Sequence, residues 1–452
     1  MFSRLLIANR GEIALRIARA CRELGIGVVA VYSSADRDSP VVRMADQAVH
    51  IGPPPPGASY LNIPNIIEAA RTTGADAVHP GYGFLSEDPD FAEICAQEDL
   101  VFVGPRPEVM QRLGNKATAR ALMAEAGLPM LPGTIEPVAS VREGAAVAAE
   151  IGYPVIIKAA AGGGGRGMAV VHEPGEFAEA FTATRASAHA VFRDPTVYVE
   201  RYLTGARHVE VQIMCGLDGD GVHLGERDCS IQRRHQKLIE ETPCTRLDAA
   251  GRARIGELAL RGALSVGYSG AGTMEFLLDE EGRFSFMEMN TRIQVEHPVT
   301  EMVTGLDLIK EQIRVAAGLP LSLKQEDVVL TGASVECRIN AEDPDRDFAP
   351  APGPLEVFEP PSGPWTRVDS GYTAGMEVGP YYDPMLAKLV VWAPTRDEAL
   401  DRMDRALAEF RVEGRGLRTT IGFHRAVIAH PTFRAGEHDL RFLERLRAGG
   451  GL

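Results

Sequence analysis

Three oxygen-bearing side chains in the second half of the chain have the types and spacing of a metal site: Glu275, Glu288 and Asn290. Two carboxylates held close together repel each other, and a bound divalent cation relieves that repulsion. Carboxylate and amide oxygens are hard ligands, which favours Mg²⁺ or Mn²⁺. Arg292 and Glu296 follow within a few residues and add a cation and a further carboxylate. This combination predicts phosphate chemistry on an anionic substrate.

A β-hairpin is the element that must bring the two carboxylates together. Alternation over Phe284–Asn290 predicts one strand, in which Phe286 and Glu288 share a face. Thr273–Leu278 predicts the antiparallel partner, joined through a turn-like acidic stretch that ends in glycine. A loop of two or four residues would place Glu275 opposite or diagonal to Glu288. The alternative is a solvated hairpin edge with charges on its wet face.

A second candidate site lies earlier in the chain, where a strand predicted at Val155–Ala159 is followed by the glycine run 162–165. Four consecutive glycines fill no space and cost conformational order, so packing does not explain them. They allow backbone N–H groups to approach phosphate oxygens and allow a lid to close over a nucleotide. The spacing is not that of a P-loop, and a flexible linker is the alternative. Lys158 and Lys116 would each supply an ammonium group to phosphates.

Polar residues also concentrate between these two sites. Glu200 closes a predicted strand, and the extended segment after it can present backbone groups to an adenine edge. His208, Glu210 and Gln212 alternate on the next strand and therefore share one face. The stretch RDCSIQRRHQK at Arg227–Lys237 is too polar for a core and too rich in donors for an ordinary loop. A solvated basic loop is the alternative interpretation.

Size and composition limit the classes of protein that fit. A chain of 452 residues can bury several cores, so two to four domains are expected. The net charge of −15 argues against general binding to nucleic acid or to anionic membranes. The six cysteines are scattered without a CxxC pair, which fits a reducing cytoplasm. The N-terminus has no apolar stretch of signal-peptide length, and no run approaches the roughly 20 apolar residues of a membrane span. A soluble cytoplasmic protein is expected.

The first hundred residues alternate short apolar strands with amphipathic helices, which predicts βαβ units and a parallel sheet. The strands are predicted at Leu5–Ala8, Val28–Tyr32, Ala77–His79 and Val101–Val103, and the helices at Ile13–Leu24 and Ile63–Thr72. The first βα turn lacks the GxGxxG of a nicotinamide-binding turn. On the first helix, Arg16, Arg19 and Glu23 share a charged face that is either solvated or a dimer contact.

The predicted division of the chain has four parts. They are an N-terminal parallel α/β domain at 1–112, a helical connector at 113–130, a small lid domain at 131–203 and a large C-terminal region at 204–452.

Six long motifs, in chain order, resemble those of biotin carboxylase, an ATP-grasp enzyme and the first catalytic component of biotin-dependent carboxylases. They are IANRGEIALRI at Ile7–Ile17, HPGYGFLSE at His79–Glu87, GGGGRGM at Gly162–Met168, RDCSIQRRHQK at Arg227–Lys237, MEMNTRIQVEHPVTE at Met287–Glu301 and ECRINAEDP at Glu336–Pro344. With YYDPMLAKL at Tyr381–Leu389 they span essentially the whole chain. The resemblance implies a multidomain fold of the α/β and α+β class: an ATP-grasp fold with a Rossmann-like N-terminal domain and a mobile lid.

The resemblance also implies a role for each matching position. The metal ligands would be Glu275, Glu288 and Asn290, of which both glutamates also belong to the ATP site. The residues that bind the ATP phosphates would be Lys116, Lys158, His208, Gly162, Gly163, Gly164 and Gly165. The adenine and ribose contacts would be Glu200, Arg201, Leu203, Gln232 and His235. The bicarbonate and carboxyphosphate pocket would be Lys237, Arg292, Gln294 and Val295, with Glu296 as the general base and Arg338 as the group that steadies the biotin enolate. Arg16, Arg19 and Glu23 fall where the family has its dimer contacts.

The implied reaction is ATP-dependent carboxylation of biotin with bicarbonate, through carboxyphosphate, with two Mg²⁺ or Mn²⁺ ions. The chain lacks the Met-Lys-Met biotin-attachment sequence, so biotin would arrive on a biotin carboxyl carrier protein. A carboxyltransferase component would select the final acceptor, which is acetyl-CoA in acetyl-CoA carboxylase and propionyl-CoA or pyruvate in other systems. The implied assembly is a homodimer. The alternatives are an ATP-grasp ligase that joins a carboxylate to an amine, and a non-catalytic nucleotide-binding subunit.

Overall fold

Short apolar strands and amphipathic helices alternate at the N-terminus and build a five-stranded sheet of order β3-β2-β1-β4-β5. Every neighbouring pair in it is parallel, as predicted. Its elements are β1 (Arg4–Ile7), α1 (Gly11–Glu23), β2 (Gly27–Ser33), α2 (Pro40–Met44), β3 (Gln47–Gly52), α3 (Ile63–Thr73), β4 (Ala77–His79), α4 (Pro89–Gln97), β5 (Val101–Phe102) and α5 (Pro107–Gly114). Strand β3 escaped prediction because it is an edge strand with three of its six residues exposed, so its apolar signal is limited to Val49 and Ile51. The computed structural model describes residues 1–134, 136–160 and 167–449.

One of the three charged residues predicted on the outer face of helix α1 is buried. Arg19 and Glu23 are exposed, but Arg16 is only 7% exposed. Its guanidinium donates to Glu301 at 2.8 Å and to Asp307 at 2.6 Å. The prediction that Arg16 shares a charged outer face is therefore wrong, because a segment nearly three hundred residues away covers that position.

A smaller antiparallel sheet of order β7-β6-β8 follows. The elements of this region are α6 (Lys116–Glu125), α7 (Val141–Ile151), β6 (Val155–Ala159), β7 (Met168–Val171), α8 (Phe177–Phe192) and β8 (Val197–Arg201). Phe177 and Phe181 of α8 pack against the sheet in a separate apolar core. The strand predicted at Val155–Ala159 is confirmed with the same bounds, and Glu200 lies one residue before the end of β8, while the glycine run 162–165 lies outside the described residues.

The largest sheet has eight strands in the order β13-β12-β9-β10-β11-β14-β21-β19. The elements after residue 204 are β9 (Arg207–Cys215), β10 (Gly221–Arg233), β11 (Gln236–Thr242), α9 (Ala249–Ser265), β12 (Gly270–Leu278), β13 (Phe284–Asn290), α10 (His297–Thr304), α11 (Leu308–Ala316), β14 (Ala333–Asn340), β15 (Glu342–Asp343), β16 (Ala349–Pro350), β17 (Gly353–Pro354), β18 (Val357–Glu359), β19 (Thr366–Ser370), β20 (Glu377–Val378), β21 (Met385–Ala393), α12 (Arg396–Glu409), β22 (Arg411–Glu413), α13 (Ile421–Ala429), α14 (Pro431–Arg434) and α15 (Phe442–Ala448).

The two faces of the large sheet differ in chemistry. On β9, Val209 and Val211 pack into the core beneath helix α9, while His208 and Glu210 face the other way, as the alternation predicted. Residues Arg227–Arg233 of the adjacent polar stretch belong to strand β10. Arg227 and Asp228 are buried because each pairs with a charged residue on the neighbouring strand β9. The interpretation as a solvated basic loop is therefore wrong for the part of the stretch that lies in β10, and it holds for the exposed Arg234 and His235 that follow.

The hairpin of β12 and β13 places Glu275 directly opposite Glu288. The prediction that they share a face is confirmed, but the loop does not have the two or four residues on which that prediction relied. The loop between Leu278 and Phe284 has an odd number of residues, and a β-bulge at Met287 restores the register. The bulge also re-aims the strand.

Because of that bulge, Phe286 and Met289 both pack in the core of the large sheet. Strict alternation would have put them on opposite faces. The expectation that Phe286 shares a face with Glu288 is therefore wrong. The bulge turns Glu288 away from the core and leaves it half-exposed.

An ion pair with no access to water ties strand β9 to the C-terminal segment. Arg207 Nη1 donates to Asp228 at 2.9 Å and to Thr245 at 2.8 Å, and Nη2 donates to the carbonyl of Gly436. Arg207→Met leaves the Asp228 carboxylate buried without the guanidinium that pairs with it, and His438 at 3.6 Å only partly replaces that charge. The substitution should therefore cost about 3–5 kcal/mol of unfolding free energy. Urea unfolding should show that loss, whereas the exposed Arg254 replaced by methionine should change stability by less than about 0.5 kcal/mol. Equal effects of the two substitutions would contradict this account.

All six cysteines are buried and free of disulfides, as their spacing predicted. Burial raises the pKa of the Cys21 and Cys95 thiols to about 12, so they are not reactive thiolates near neutral pH. Among the described helices, none combines the length and the apolar character needed to cross a membrane.

Candidate active site

A cleft of about 1540 Å³ separates the three-stranded sheet from the polar face of the eight-stranded sheet. Every predicted site residue outside the glycine run contributes to its lining. These residues are Lys116, Lys158, Glu200, Arg201, Leu203, His208, Gln232, His235, Lys237, Glu275, Glu288, Asn290, Arg292, Gln294, Val295, Glu296 and Arg338. Residues Gly162, Gly163, Gly164 and Gly165 lie outside the described residues. The structure therefore brings the predicted set together, while the role of each stays a prediction.

A row of charges crosses four neighbouring strands at the floor of the cleft. Glu288 is opposite Glu275, Glu275 is opposite Glu210, and Glu210 is opposite Arg227. Arg227 Nε donates to Glu210 at 2.6 Å. One arginine cannot neutralise three carboxylates, so the row needs further cations.

Lys237 supplies one of them. Its Nζ donates to Glu275 at 3.0 Å and to Glu296 at 2.6 Å, and it also bonds to Glu210. Burial alone would lower the pKa of Lys237, but the three carboxylates outweigh burial and raise it well above its ordinary value. The ammonium stays charged and holds the acidic floor together.

Glu296 is buried and lies between two cations. One of its oxygens accepts from Lys237, and the other accepts from Arg338 Nη2 at 2.9 Å. Burial and the nearby Glu210 act to raise the pKa of Glu296, but Lys237 and Arg338 prevail and lower it. Glu296 is therefore a carboxylate at neutral pH, which is the state that a general base requires.

Arg292 is held by a residue that the sequence did not single out. Glu87, at the end of the HPGYGFLSE motif, accepts from Arg292 Nε at 3.0 Å and from the Thr291 backbone N–H at 3.0 Å. Arg292 also donates to Asn290 Oδ1 at 3.2 Å. The motif marked Glu87 as part of a family pattern, but only the fold shows what it contacts.

Val295 and Gln294 are also fixed by buried cations. Lys388 Nζ, which has no exposed surface, donates to the carbonyl of Val295 at 2.9 Å and lies 3.1 Å from Glu12. Arg227 donates to the Gln294 side chain at 2.7 Å. Lys388 and Glu12 belong to the YYDPMLAKL and IANRGEIALRI motifs, so those motifs contribute to the site by orienting the segment before Glu296.

At the other end of the cleft, Lys158 and Glu200 form an ion pair of 2.6 Å across strands β6 and β8. Arg120 binds the second oxygen of Glu200 at 2.8 Å. The side chain of Glu200 therefore orients cations. The backbone N–H of Arg201 already donates to the carbonyl of Pro132, so a purine edge would take its donor farther along the segment, towards Leu203.

His235 enters the cleft from a strained turn. Arg234 and His235 form the tight turn between β10 and β11, with φ angles of +49° and +65°. Such turns normally carry glycine or asparagine, because other residues are strained at positive φ. Strain retained at two successive positions beside a cleft is typical of a functional loop.

Two sets of groups in the cleft could be considered for a metal. His208, Glu210 and Glu275 lie close enough together to share an ion. However, Glu210 already binds Arg227 and Lys237, and Glu275 outweighs burial and raises the pKa of His208 to about 9. Because Glu210 is already bound to two cations, this set offers a metal fewer free oxygens than the predicted set does.

The predicted set fits better. Glu275 and Glu288 are paired across the hairpin, and Glu288 is half-exposed to the cleft, with Lys116 Nζ 3.6 Å from one of its oxygens. Asn290 adjoins them, since its Nδ2 donates to Glu275 at 2.8 Å. Two carboxylates and an amide oxygen at the edge of a cleft are the donors that Mg²⁺ or Mn²⁺ prefers.

Comparison with known proteins places this architecture in one family. Residues 1–110 match the family "Biotin carboxylase, N-terminal domain", residues 115–324 match "Carbamoyl-phosphate synthase L chain, ATP binding domain", and residues 336–445 match "Biotin carboxylase C-terminal domain". Together these matches cover most of the chain.

Individual relatives agree with the family matches. The chain is 53% identical to a biotin carboxylase of Nostoc sp., covering 98% of this chain and 99% of that protein. It is 54% identical to biotin carboxylase 1 of Bacillus subtilis, covering 98% of both. The solved dimer of the biotin carboxylase domain of Hydrogenobacter thermophilus 2-oxoglutarate carboxylase, in complex with MgADP, ADP and bicarbonate, matches with a TM-score of 0.94 and 44% identity, covering 99% of this chain and 98% of that one. The chain belongs to the biotin carboxylase family.

Proposed function

We propose that this member of the biotin carboxylase family carboxylates biotin at the expense of ATP, with bicarbonate as the source of the carboxyl group. One observation carries the proposal: the buried carboxylate Glu296 is held ionised between Lys237 and Arg338, in the same cleft as Arg292 and Lys158. This arrangement combines a base, an anion pocket and a phosphate-binding cation. Homologous structures with MgADP and bicarbonate support the same assignment.

Bicarbonate is a poor nucleophile, so the first step needs a base. Glu296 would accept the bicarbonate proton while Arg292 and Lys237 hold the anion. A bicarbonate oxygen then attacks the γ-phosphorus of ATP, the bond to ADP breaks, and carboxyphosphate forms. Lys158 and Lys116 would neutralise charge on the phosphates as ADP leaves.

The second step transfers the carboxyl group. Carboxyphosphate breaks into CO₂ and phosphate, and the phosphate takes the ureido proton of biotin. The resulting biotin enolate attacks CO₂ through nitrogen to give carboxybiotin. Arg338 would stabilise the enolate oxygen, since its guanidinium lines the cleft beside Glu296.

Glu275, Glu288 and Asn290 would hold the divalent cations. When bound, such ions neutralise the β- and γ-phosphates and orient them for in-line attack. Lys237 and His208 keep Glu275 ionised, because together they outweigh burial and lower its pKa well below its ordinary value.

The partners follow from the same proposal. Biotin would arrive on a carrier protein, and a carboxyltransferase would take the carboxyl group to its final acceptor. Residues 131–203 would act as a lid over the nucleotide, within the boundaries predicted from the sequence. A homodimer would use the exposed Arg19 and Glu23 of α1, without Arg16, whose partners lie within the chain. The buried free cysteines are compatible with a cytoplasmic setting.

The test is ADP release measured with bicarbonate and Mg²⁺, with and without biotin. The proposal predicts turnover that requires bicarbonate and rises several-fold when free biotin or a biotinylated carrier is added. Turnover that needs an amine acceptor and ignores biotin would identify a carboxylate–amine ligase instead. ATP binding without bicarbonate-dependent turnover would identify a non-catalytic nucleotide-binding subunit.

A further inference from the structure

Behind Arg338 lies a buried carboxylate that the proposed reaction does not use. Glu240 is on β11 and has no exposed surface. Its Oε1 accepts from Arg338 Nε at 2.6 Å, while Arg338 Nη2 donates to Glu296 at 2.9 Å. The guanidinium is thus held between two carboxylates, one at the cleft and one behind it. The second oxygen of Glu240 has no hydrogen-bond partner among the described residues.

A second buried carboxylate faces Glu240 across the sheet. Glu336 on β14 is its direct cross-strand neighbour, and it too has no exposed surface. Neither oxygen of Glu336 has a hydrogen-bond partner among the described residues. Burial, with repulsion from Glu240, raises the pKa of Glu336 well above its ordinary value despite Lys388. Glu336 is therefore neutral, and the negative charge of the pair belongs to Glu240, which has the arginine.

We propose that Glu240 is a positioning residue for the reaction: its carboxylate fixes the Arg338 guanidinium so that this side chain serves both Glu296 and the substrate. The proposal rests on the proposed function, because Arg338 matters only if an anion or enolate forms in the cleft. Without Glu240, Arg338 is free to pair fully with Glu296. That pairing would weaken the base and withdraw the guanidinium from the substrate.

The charged groups around Glu240 determine the pH above which its carboxyl group is ionised. The titratable and charged groups that face it are Arg338, Glu336 and Cys337 on β14, Cys229 on β10, Glu296 at the start of α10, and Lys237 on β11 itself. Burial is the largest influence and outweighs Arg338 and Lys237, so the pKa of Glu240 is raised to about 7. Glu240 is therefore ionised above about pH 7 and neutral below it. The fixed position of Arg338 is gained as pH rises through that value.

The test compares Glu240→Gln with Glu336→Gln. Both substitutions replace a buried carboxyl group by an amide of the same shape on adjacent strands, but only the first removes the partner of Arg338. Glu240→Gln should lower kcat for biotin carboxylation by about 10- to 100-fold, the usual loss when a supporting residue is removed, with the KM for ATP changed less than about twofold. Glu336→Gln should stay within about twofold of wild type, because glutamine mimics the neutral acid.

The pH profile separates positioning from a general loss of structure. In the wild type and in Glu336→Gln, kcat should fall as the pH drops below about 7, which gives an acid limb in the pH profile. Glu240→Gln should show no such fall near pH 7. Ionisation of bicarbonate affects all three proteins equally, so it cancels in the ratios. An unchanged limb in Glu240→Gln, or equal losses in the two variants, would overturn the proposal.

A spectroscopic measurement tests the role of Glu240 independently of the proposed function. Infrared difference spectra between pH 6 and pH 8 should show the loss of a protonated carboxyl band in the wild type and no such band in Glu240→Gln. This result does not require turnover. If the wild type fails to carboxylate biotin, the proposed function falls, while a missing infrared titration at Glu240 overturns the inference itself.

Discussion

Replacing Glu296 with glutamine is expected to lower kcat for bicarbonate-dependent ATP cleavage by about 10²- to 10⁴-fold, the range attributed to general-base catalysis. Glutamine preserves the shape of the side chain and can still accept from Lys237, but it cannot take a proton. Carboxylation of biotin should fall in parallel, because both steps depend on carboxyphosphate. Initial rates of ADP and carboxybiotin formation would measure the loss.

The control for that experiment is Glu281→Gln in the exposed loop between β12 and β13. It removes one carboxylate of the same type far from the base and should leave kcat within about twofold. Thermal unfolding of both variants should show that Glu296→Gln is folded. A folded Glu296→Gln variant with wild-type kcat would show that another group takes the proton.

Lys237→Met is expected to have the second largest effect. It leaves Glu210, Glu275 and Glu296 buried without their shared cation, which should cost about 3–5 kcal/mol of unfolding free energy. It should also lower kcat by about 10²- to 10³-fold at pH 7, because the substrate anion loses a donor. The pKa of Glu296 should rise, since burial and Glu210 raise it and Lys237 is a main group that lowers it. The base would then be protonated up to a higher pH.

The pH profile of kcat/KM for bicarbonate checks the sign of that shift. The comparison is made in the Glu240→Gln background, which lacks the fall in activity near pH 7 assigned to Glu240. There, Lys237→Met should move the acid limb to higher pH, so that part of the lost activity returns as pH rises. Lys324→Met, at an exposed position, provides the matched control. If Lys237→Met leaves the acid limb of the Glu240→Gln background at the same pH, Lys237 does not hold Glu296 ionised.

Local patterns predicted much of the fold. Regular alternation and amphipathic spacing located the N-terminal parallel strands, and the strand at Val155–Ala159 was predicted with its observed bounds. Three errors have physical causes. Strand β3 is an exposed edge, the bulge at Met287 breaks alternation, and Arg227 looked too polar for a strand because its partners lie on other strands. The predicted domain boundaries stay predictions.

The sequence identified the residues of the site but not the contacts between them. The hairpin pattern identified Glu275, motifs identified Glu296 and Arg338, and all three line the cleft. The contacts of Glu87 with Arg292 and of Glu240 with Arg338 could not be predicted, because they join segments far apart in sequence. Burial of Arg16 was missed for the same reason, since a helix shows only its own periodicity and not what later packs on it.

The most direct test of the central claim is transfer of oxygen from bicarbonate to phosphate. With ¹⁸O-labelled bicarbonate, ATP and biotin, attack of a bicarbonate oxygen on the γ-phosphorus places one labelled oxygen in each phosphate released, as measured by mass spectrometry. The account predicts one ¹⁸O atom per phosphate, formed in step with carboxybiotin. Unlabelled phosphate, formed at the same rate as carboxybiotin, would contradict it, because bicarbonate would then not be the group that the cleft activates.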